Sequence, residues 1–499
     1  MYPVKNVFSY GEASPGCGLL FLIFRLLGFN DIYSYYFYIS FIFALTAFGG
    51  FLLAKFYTKS IFPSFFAGFA FSCTNFMFAN IDDSIVVFYF LPALSILYLK
   101  KYFRYSKPSH LFLSSFFGGA QAYFSGYVFL FQTIIIITLI FLYWKEFLKP
   151  KKIRFCLSYF VIYFFLASPL VIFYFSSYYG LVFENPHGGL TTTNELCSLG
   201  FANYFQVLPD NLIYQFNNTR FDGLDHWVVI RKSAFIGFLV VFLAGISFMK
   251  ISKSKIELVI IALLGLILCN ARTINLSGLE ILSPLGVLYL VVPILTYIRI
   301  PLRAHIIFIL AISILSAFGM KHLIPKTKMK GMKRIGLIFV FCLVHFLENV
   351  PVPLISYNIE KFAEIPVEYK QIFADSENKI ILELPSRVGK IVGQTQDDLF
   401  QYNREFIYMN WQTQHKQNIL NGANGYIPEE RLQMQKFIDQ LPASNALAAL
   451  RAIGLDCIVF HKDMVLNDDI HTLDMLLEIK ELEQVLDTER LAIFHLRDI

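Results

Sequence analysis

Charge is what this sequence has least of. Asp, Glu, Lys and Arg make up 16% of its 499 residues, against about 25% in a soluble domain. The deficit is gathered in long apolar runs, which excludes a uniformly water-soluble chain. Cysteines are present, but Cys17, Cys73, Cys156, Cys197, Cys269, Cys342 and Cys457 form no C-x-x-C pair. Neither a zinc site nor a dithiol redox motif is therefore expected. A P-loop, a dinucleotide fingerprint and a nucleophile–base constellation are also missing, and no signal peptide opens the chain. Intramembrane charge clusters of the proton-relay kind are absent too, which weakens a transporter reading. No cofactor and no nucleic-acid partner are expected.

In their place the sequence is 56% hydrophobic and 17% aromatic, with a mean hydropathy of +0.56. Its charges are segregated: residues 1–350 carry +15 and residues 351–499 carry −9. So sharp a shift places a domain boundary near Pro351. The apolar runs fall at about 33–56, 61–80, 84–101, 110–144, 155–177, 234–250, 256–270, 302–323 and 334–350. As one helix the 110–144 run would reach about 50 Å, against about 30 Å of hydrocarbon. Gly126 follows Ser125 near its middle and divides it. The expectation is a polytopic α-helical membrane protein of about ten spans.

Charge placement gives the sidedness. Basic clusters lie at Lys55/Lys59, at Lys100 to Lys107, at Lys145 to Arg154, at Lys250 to Lys255 and at Lys321 to Arg334. With ten spans all of them face one side, which the positive-inside rule makes cytoplasmic. Both termini then lie outside, and a further span upstream of Met1 is expected. Residues 1–32 read as a partial outer loop with an interfacial helix at 17–29. Residues 33–177 read as a core membrane module, 178–233 as an outer loop, and 234–350 as a second membrane module. Within the second module, Pro284 and Pro293 interrupt a stretch at 278–298 that reads as re-entrant or interfacial. Residues 351–499 read as an extracytoplasmic α/β domain.

Three groups stand out as candidates for chemistry. Asp82 and Asp83 share a very short outer loop at the lip of two helices, where ionisable groups are costly. They suit acid/base work, contact with a substrate hydroxyl or a divalent cation, and equally a polar turn with a helix N-cap. Arg299 and Arg303, next to His305, occupy the outer end of a span against the positive-inside trend. A guanidinium fork there suits a lipid phosphate, or simply snorkels to the interface. The outer loop carries Glu184, His187, Glu195, Asp210, Arg220, Asp222, Asp225, His226, Trp227 and Arg231. Aromatics among carboxylates suit sugar binding, and equally an ordinary wet loop.

After Pro351 the period changes. Strands are expected at 379–385, 405–411, 456–461 and 489–497, and helices at 428–440, 442–453 and 468–480, which alternate as an α/β layer. The turn-forming stretch from Thr413 to Tyr426, with His415, reads as a structural turn or a binding loop.

The stretches YPVKNVFSYGEASPGCGLLF and FGGFLLAKFYTKSIFPSFFAGFAFSCTNFMFANIDD resemble bacterial membrane proteins related to the GT-C glycosyltransferases. So do the tail segments IILELP and YMNWQTQHKQNILNGANGYIPEERL. Most specific is LSPLGVLYLVVPILTYIRIPLRAHIIFILAISILSAFGM, which resembles that group's Leu-Arg-x-Pro-x-Arg segment before a span. The resemblance implies a bacterial inner-membrane enzyme that takes a sugar from a polyprenyl-phosphate or polyprenyl-pyrophosphate carrier on the outer face. The acceptor would be a cell-envelope glycan, lipid or protein. Asp82 and Asp83 match the group's second acidic position, and Glu12 is the candidate for the first. Arg299, Arg303, His305 and Glu195 would then meet substrate. The rival readings are a non-enzymatic lipid-glycan transporter or scaffold, and a relative that only binds glycan.

Overall fold

The computed structural model describes residues 14–81, 83–147, 153–178, 183–184, 197–214, 230–276, 279–291, 300–324, 331–352, 365–373, 379–386, 396–422, 427–466 and 472–497. The described chain is mostly helical, with a small sheet at its C-terminal end. Among the described residues, five helical segments are long and apolar enough to cross a membrane: Asp31–Thr58, Ile61–Ala79, Ser84–Tyr105, Ile153–Phe173 and Pro301–Leu323. Such segments suit a chain embedded in lipid. Shorter apolar helices span Pro15–Leu26, Gly126–Leu142 and Phe238–Ser247. The expected division of the 110–144 run is borne out. One helix covers Pro108–Ala120, and Ser125 caps the next, Gly126–Leu142, by accepting from the Val128 N–H at 3.2 Å.

Breaks in the apolar helices are satisfied from neighbours, as burial away from water requires. The backbone opens at Phe88 and Tyr89, and Thr46 on the adjacent helix repairs it. Its hydroxyl donates to the Val87 carbonyl at 2.9 Å and accepts from the Tyr89 N–H at 3.1 Å. Between Ser72 and Asn75, Thr74 restarts the helix by accepting from the Met77 N–H at 3.3 Å. Helices approach closely through small residues. A methyl group at Gly319 would overlap the backbone carbonyl of Leu243 on the Phe238–Ser247 helix. Gly319→Ala must push the two helices apart, and overpacking of this kind costs about 1–3 kcal/mol. A lowered melting temperature of the purified protein is the expected result, and an unchanged one would show that the backbones part freely.

The stretch expected to be re-entrant opens differently. Strands β2 (Thr273–Leu276) and β3 (Leu279–Leu282) pair as an antiparallel hairpin, followed by an eight-residue helix at Pro284–Val291. Alternating Ile, Leu and polar residues around the turn favour the hairpin, and Pro284 starts the helix because its missing N–H costs nothing there.

The C-terminal sheet contains β4 (Ile380–Leu384), β5 (Asn418–Ile419), β7 (Cys457–His461), β8 (Leu482–Asp487) and β9 (Leu491–Leu496), in the order β5-β4-β7-β9-β8. Strands β4, β5 and β7 run parallel, while β9 is antiparallel to β7 and to β8. Alternation along the strands sorts side chains to two cores. Leu382, Leu384, Ile458 and Phe460 pack with the helices Glu429–Asp439 and Ser444–Ala452. Ile381, Cys457, Val459 and Ile493 pack on the other face with Tyr408 and Trp411.

The strand expected at 405–411 is a helix instead, Gln396–His415. Its buried Tyr408 follows Arg404 by four residues and Glu405 by three, and Trp411 follows Tyr408 by three, the helical period. Two short strands tie this domain to the preceding loop: β1 (Phe183–Glu184) pairs with β6 (Ile427–Pro428). Asn211 also bridges Pro351.

Candidate functional site

Asp83 sits in the turn between the short helices Asn75–Ala79 and Ser84–Val87. Its side chain caps neither. It turns inward, and its Oδ2 atom accepts from Arg231 at 2.8 Å and from Arg303 at 2.5 Å. The arginines lie 148 and 220 residues further along the chain, so only the folded bundle brings the three together.

Each arginine is placed by its own backbone. Arg303 lies in a 3-10 turn, Pro301–Ala304, at the head of the His305–Leu323 helix, where Pro301 cannot continue a preceding helix. The Leu302 N–H in that turn donates to the Cys197 carbonyl at 3.0 Å. The Arg303 guanidinium lies over the Tyr127 ring at 4.6 Å, a stacking contact that favours arginine over lysine. Arg231 also donates to Asn80 Oδ1 at 3.3 Å, and Asn80 is held in turn by the Phe76 carbonyl at 2.7 Å. From the first long helix, Tyr35 and Tyr38 reach the same turn through the Ile81 carbonyl and the Ser84 hydroxyl, at 3.3 and 2.9 Å.

Burial alone pushes the Asp83 carboxyl upward in pKa. The charges of Arg303 and Arg231, with their hydrogen bonds, pull it further down, so it ends below the ordinary carboxylate value. A carboxylate so held is a poor proton acceptor. The trio brings two guanidinium forks to one point, and such forks suit the oxygens of an anion. Among the described residues no three His, Cys, Asp or Glu side chains form a metal-holding group.

His305 does not present itself to a substrate. Its ring is fully buried, flanked by Phe76, Tyr204 and Phe308. Its Nε2 is 3.0 Å from the Ala234 carbonyl. It anchors the segment that carries Arg231 to the helix that follows Arg303. Glu12, Asp82, Glu195 and Arg299 lie outside the described residues. In the C-terminal domain, Asn421 pairs with both backbone groups of Glu383, at 2.7 and 2.8 Å, so the described part of the 413–426 stretch is structural.

Two features escaped sequence reading. Arg231 is one of ten residues singled out in a long loop, and its signal is a cation in a segment that the positive-inside trend is expected to leave poor in them. Glu348 belongs to a second network at the same end of the bundle, accepting from Tyr214 at 2.9 Å and from the Leu239 N–H at 3.2 Å. Next to it, Asn349 accepts from Asn75 at 2.9 Å. These bonds fasten the loop, the Phe238–Ser247 helix and the Gly331–Asn349 helix around the end of the bundle that holds Asp83. No family model matches the chain, and no curated protein matches it.

Proposed function

We propose that the chain is a membrane glycosyltransferase of GT-C type. In this reading it crosses the bacterial inner membrane about ten times, the shorter helices completing the crossings. It takes a sugar from a polyprenyl-phosphate-linked donor and delivers it to a cell-envelope acceptor on the extracytoplasmic face. The observation that carries the reading is the convergence of Arg231 and Arg303 on Asp83 at 2.8 and 2.5 Å. Two anchored guanidinium groups suit the leaving phosphate, whose charge grows as the glycosidic bond breaks. Asp83 aligns the pair and limits their mutual repulsion. Removal of the acceptor's proton then falls to the neighbouring Asp82. The shared end of Asp83, the outer loop and the C-terminal domain supports a common extracytoplasmic compartment.

The test offers purified full-length protein a radiolabelled polyprenyl-phosphate sugar, and in parallel the matching nucleotide sugar. Transfer from the lipid-linked donor alone is the expected result. Transfer from the nucleotide sugar, or lipid-donor binding without turnover under any acceptor, would defeat the proposal and favour a transporter or scaffold.

A further inference from the structure

The opposite end of the bundle holds a second built site. The Asp31–Thr58 helix runs from the Asp83 turn, touched by Tyr35 and Tyr38, to Tyr57 at its far end. Over 28 residues that is a distance of about 42 Å. A cavity of about 510 Å³ lies at this far end, and Lys59, Lys100, Arg104 and Lys253 line it. They come from three separate parts of the chain, and Glu146 is the carboxylate on the lining. An excess of surface lysine and arginine on one membrane face is ordinary; a cavity with a fixed charged floor is not. Lys100 is buried and donates to the buried Glu257 at 2.5 Å. Tyr57 and Tyr143 also donate to Glu257, the latter at 2.6 Å.

That floor orients the cations. Lys100 and Lys253 both lie over the Tyr143 ring, at 3.9 and 4.5 Å, and Phe103 stacks on the same ring at 4.9 Å. Arg104 lies over Phe56 and Tyr105, at 5.9 and 5.3 Å. Glu257 balances Lys100, and Glu146 balances one more cation, so the lining keeps a positive excess. The 16-residue helix Lys253–Leu268 starts at the cavity, and its Ser252 makes no side-chain cap. Its first N–H groups add to the attraction for an anion.

We infer that this cavity binds a phosphate group, either the headgroup of an anionic lipid or free phosphate, at the face opposite Asp83. The inference is independent of the transferase reading. Full-length protein in detergent is titrated with phosphatidylglycerol or phosphatidylcholine and bound lipid is counted by native mass spectrometry. Radiolabelled inorganic phosphate is measured separately by equilibrium dialysis. A preference for phosphatidylglycerol identifies a lipid source, and phosphate binding without lipid preference identifies a free one. Either must weaken by about tenfold or more in Arg104→Ala/Lys253→Ala, the scale of a lost charge-assisted contact. Neither residue belongs to the buried Lys100–Glu257 pair. Lys59→Ala, at an exposed helix end, serves as a second variant if the double one fails to fold. Lys333→Ala/Arg334→Ala, basic residues outside the cavity, must leave binding intact. Equal binding by wild type and both cavity variants would overturn the inference. So would an equal loss in the control pair, or a failure to bind phosphate combined with indifference between the two lipids.

Discussion

Arg303→Ala should lower sugar transfer by about 100- to 1000-fold, the range for removing one preorganised donor from a developing negative charge. Arg231 alone would remain to face the phosphate. Arg303→Lys should recover part of the loss, since it keeps the charge but lacks the fork and the flat face that rests on Tyr127. The loss should appear in kcat with little change in apparent donor affinity, because the interaction strengthens as charge develops. Transfer rates indistinguishable from wild type would remove Arg303 from the reaction. A loss confined to KM would leave it as a binding contact only.

Acid should expose the role of Asp83 in stability. Its folded pKa lies below the ordinary value, so its stabilising contribution is fully present above the unfolded pKa of about 4. The contribution fades as pH falls through the folded value. The melting-temperature gap between wild type and Asp83→Asn should therefore stay level between about pH 7 and about pH 5, and narrow below about pH 4. A gap that widens in acid would mean that the carboxyl is already protonated in the folded protein.

The second large effect belongs to the C-terminal domain. Glu405 and Arg431 are both fully buried and pair at 3.5 Å. Glu405 also accepts from the Ser386 hydroxyl and the Gly422 N–H, each at 2.7 Å. Glu405→Ala removes the buried ion-pair partner of the guanidinium, leaves it only the outlying charge of Asp439, and frees two donors. Breaking a buried pair from one side costs about 3–5 kcal/mol, a large share of the roughly 5–15 kcal/mol that holds a domain together. Hydrogen exchange in β4 and β7 should accelerate strongly. Replacing both partners, Glu405→Met with Arg431→Met, should restore most of the protection, because no uncompensated charge is left inside. Protection in Glu405→Ala equal to that of wild type would show that water reaches the site.

Much of the helical part was legible because its signals are local. The Asp31–Thr58 helix announces itself by an apolar run, with Asn30 capping its start by accepting from the Tyr33 N–H at 2.9 Å. Ser125 could be recognised as a break for the same reason. The 405–411 segment misled because Phe406, Ile407 and Tyr408 look like a strand when read alone, and only the spacing across Arg404, Tyr408 and Trp411 shows the helical face. A strand at 482–487 went unnoticed: β8 has exposed residues along most of its length, so it lacks the apolar run that marks β4 and β7.

The candidate site divides in the same way. Asp83 and Arg303 attracted notice because a charge near lipid is expensive wherever the chain then goes, and that cost can be read from neighbouring residues. Which charges meet is another matter. The pairing of Asp83 with Arg231, and the enclosure of His305 by Phe76, Tyr204 and Phe308, depend on how helices distant in sequence pack. Partition into lipid follows from composition, residue by residue, and needs no knowledge of the fold. Ion pairing depends on distances of a few ångströms between separate helices, and those distances exist only once the bundle has closed.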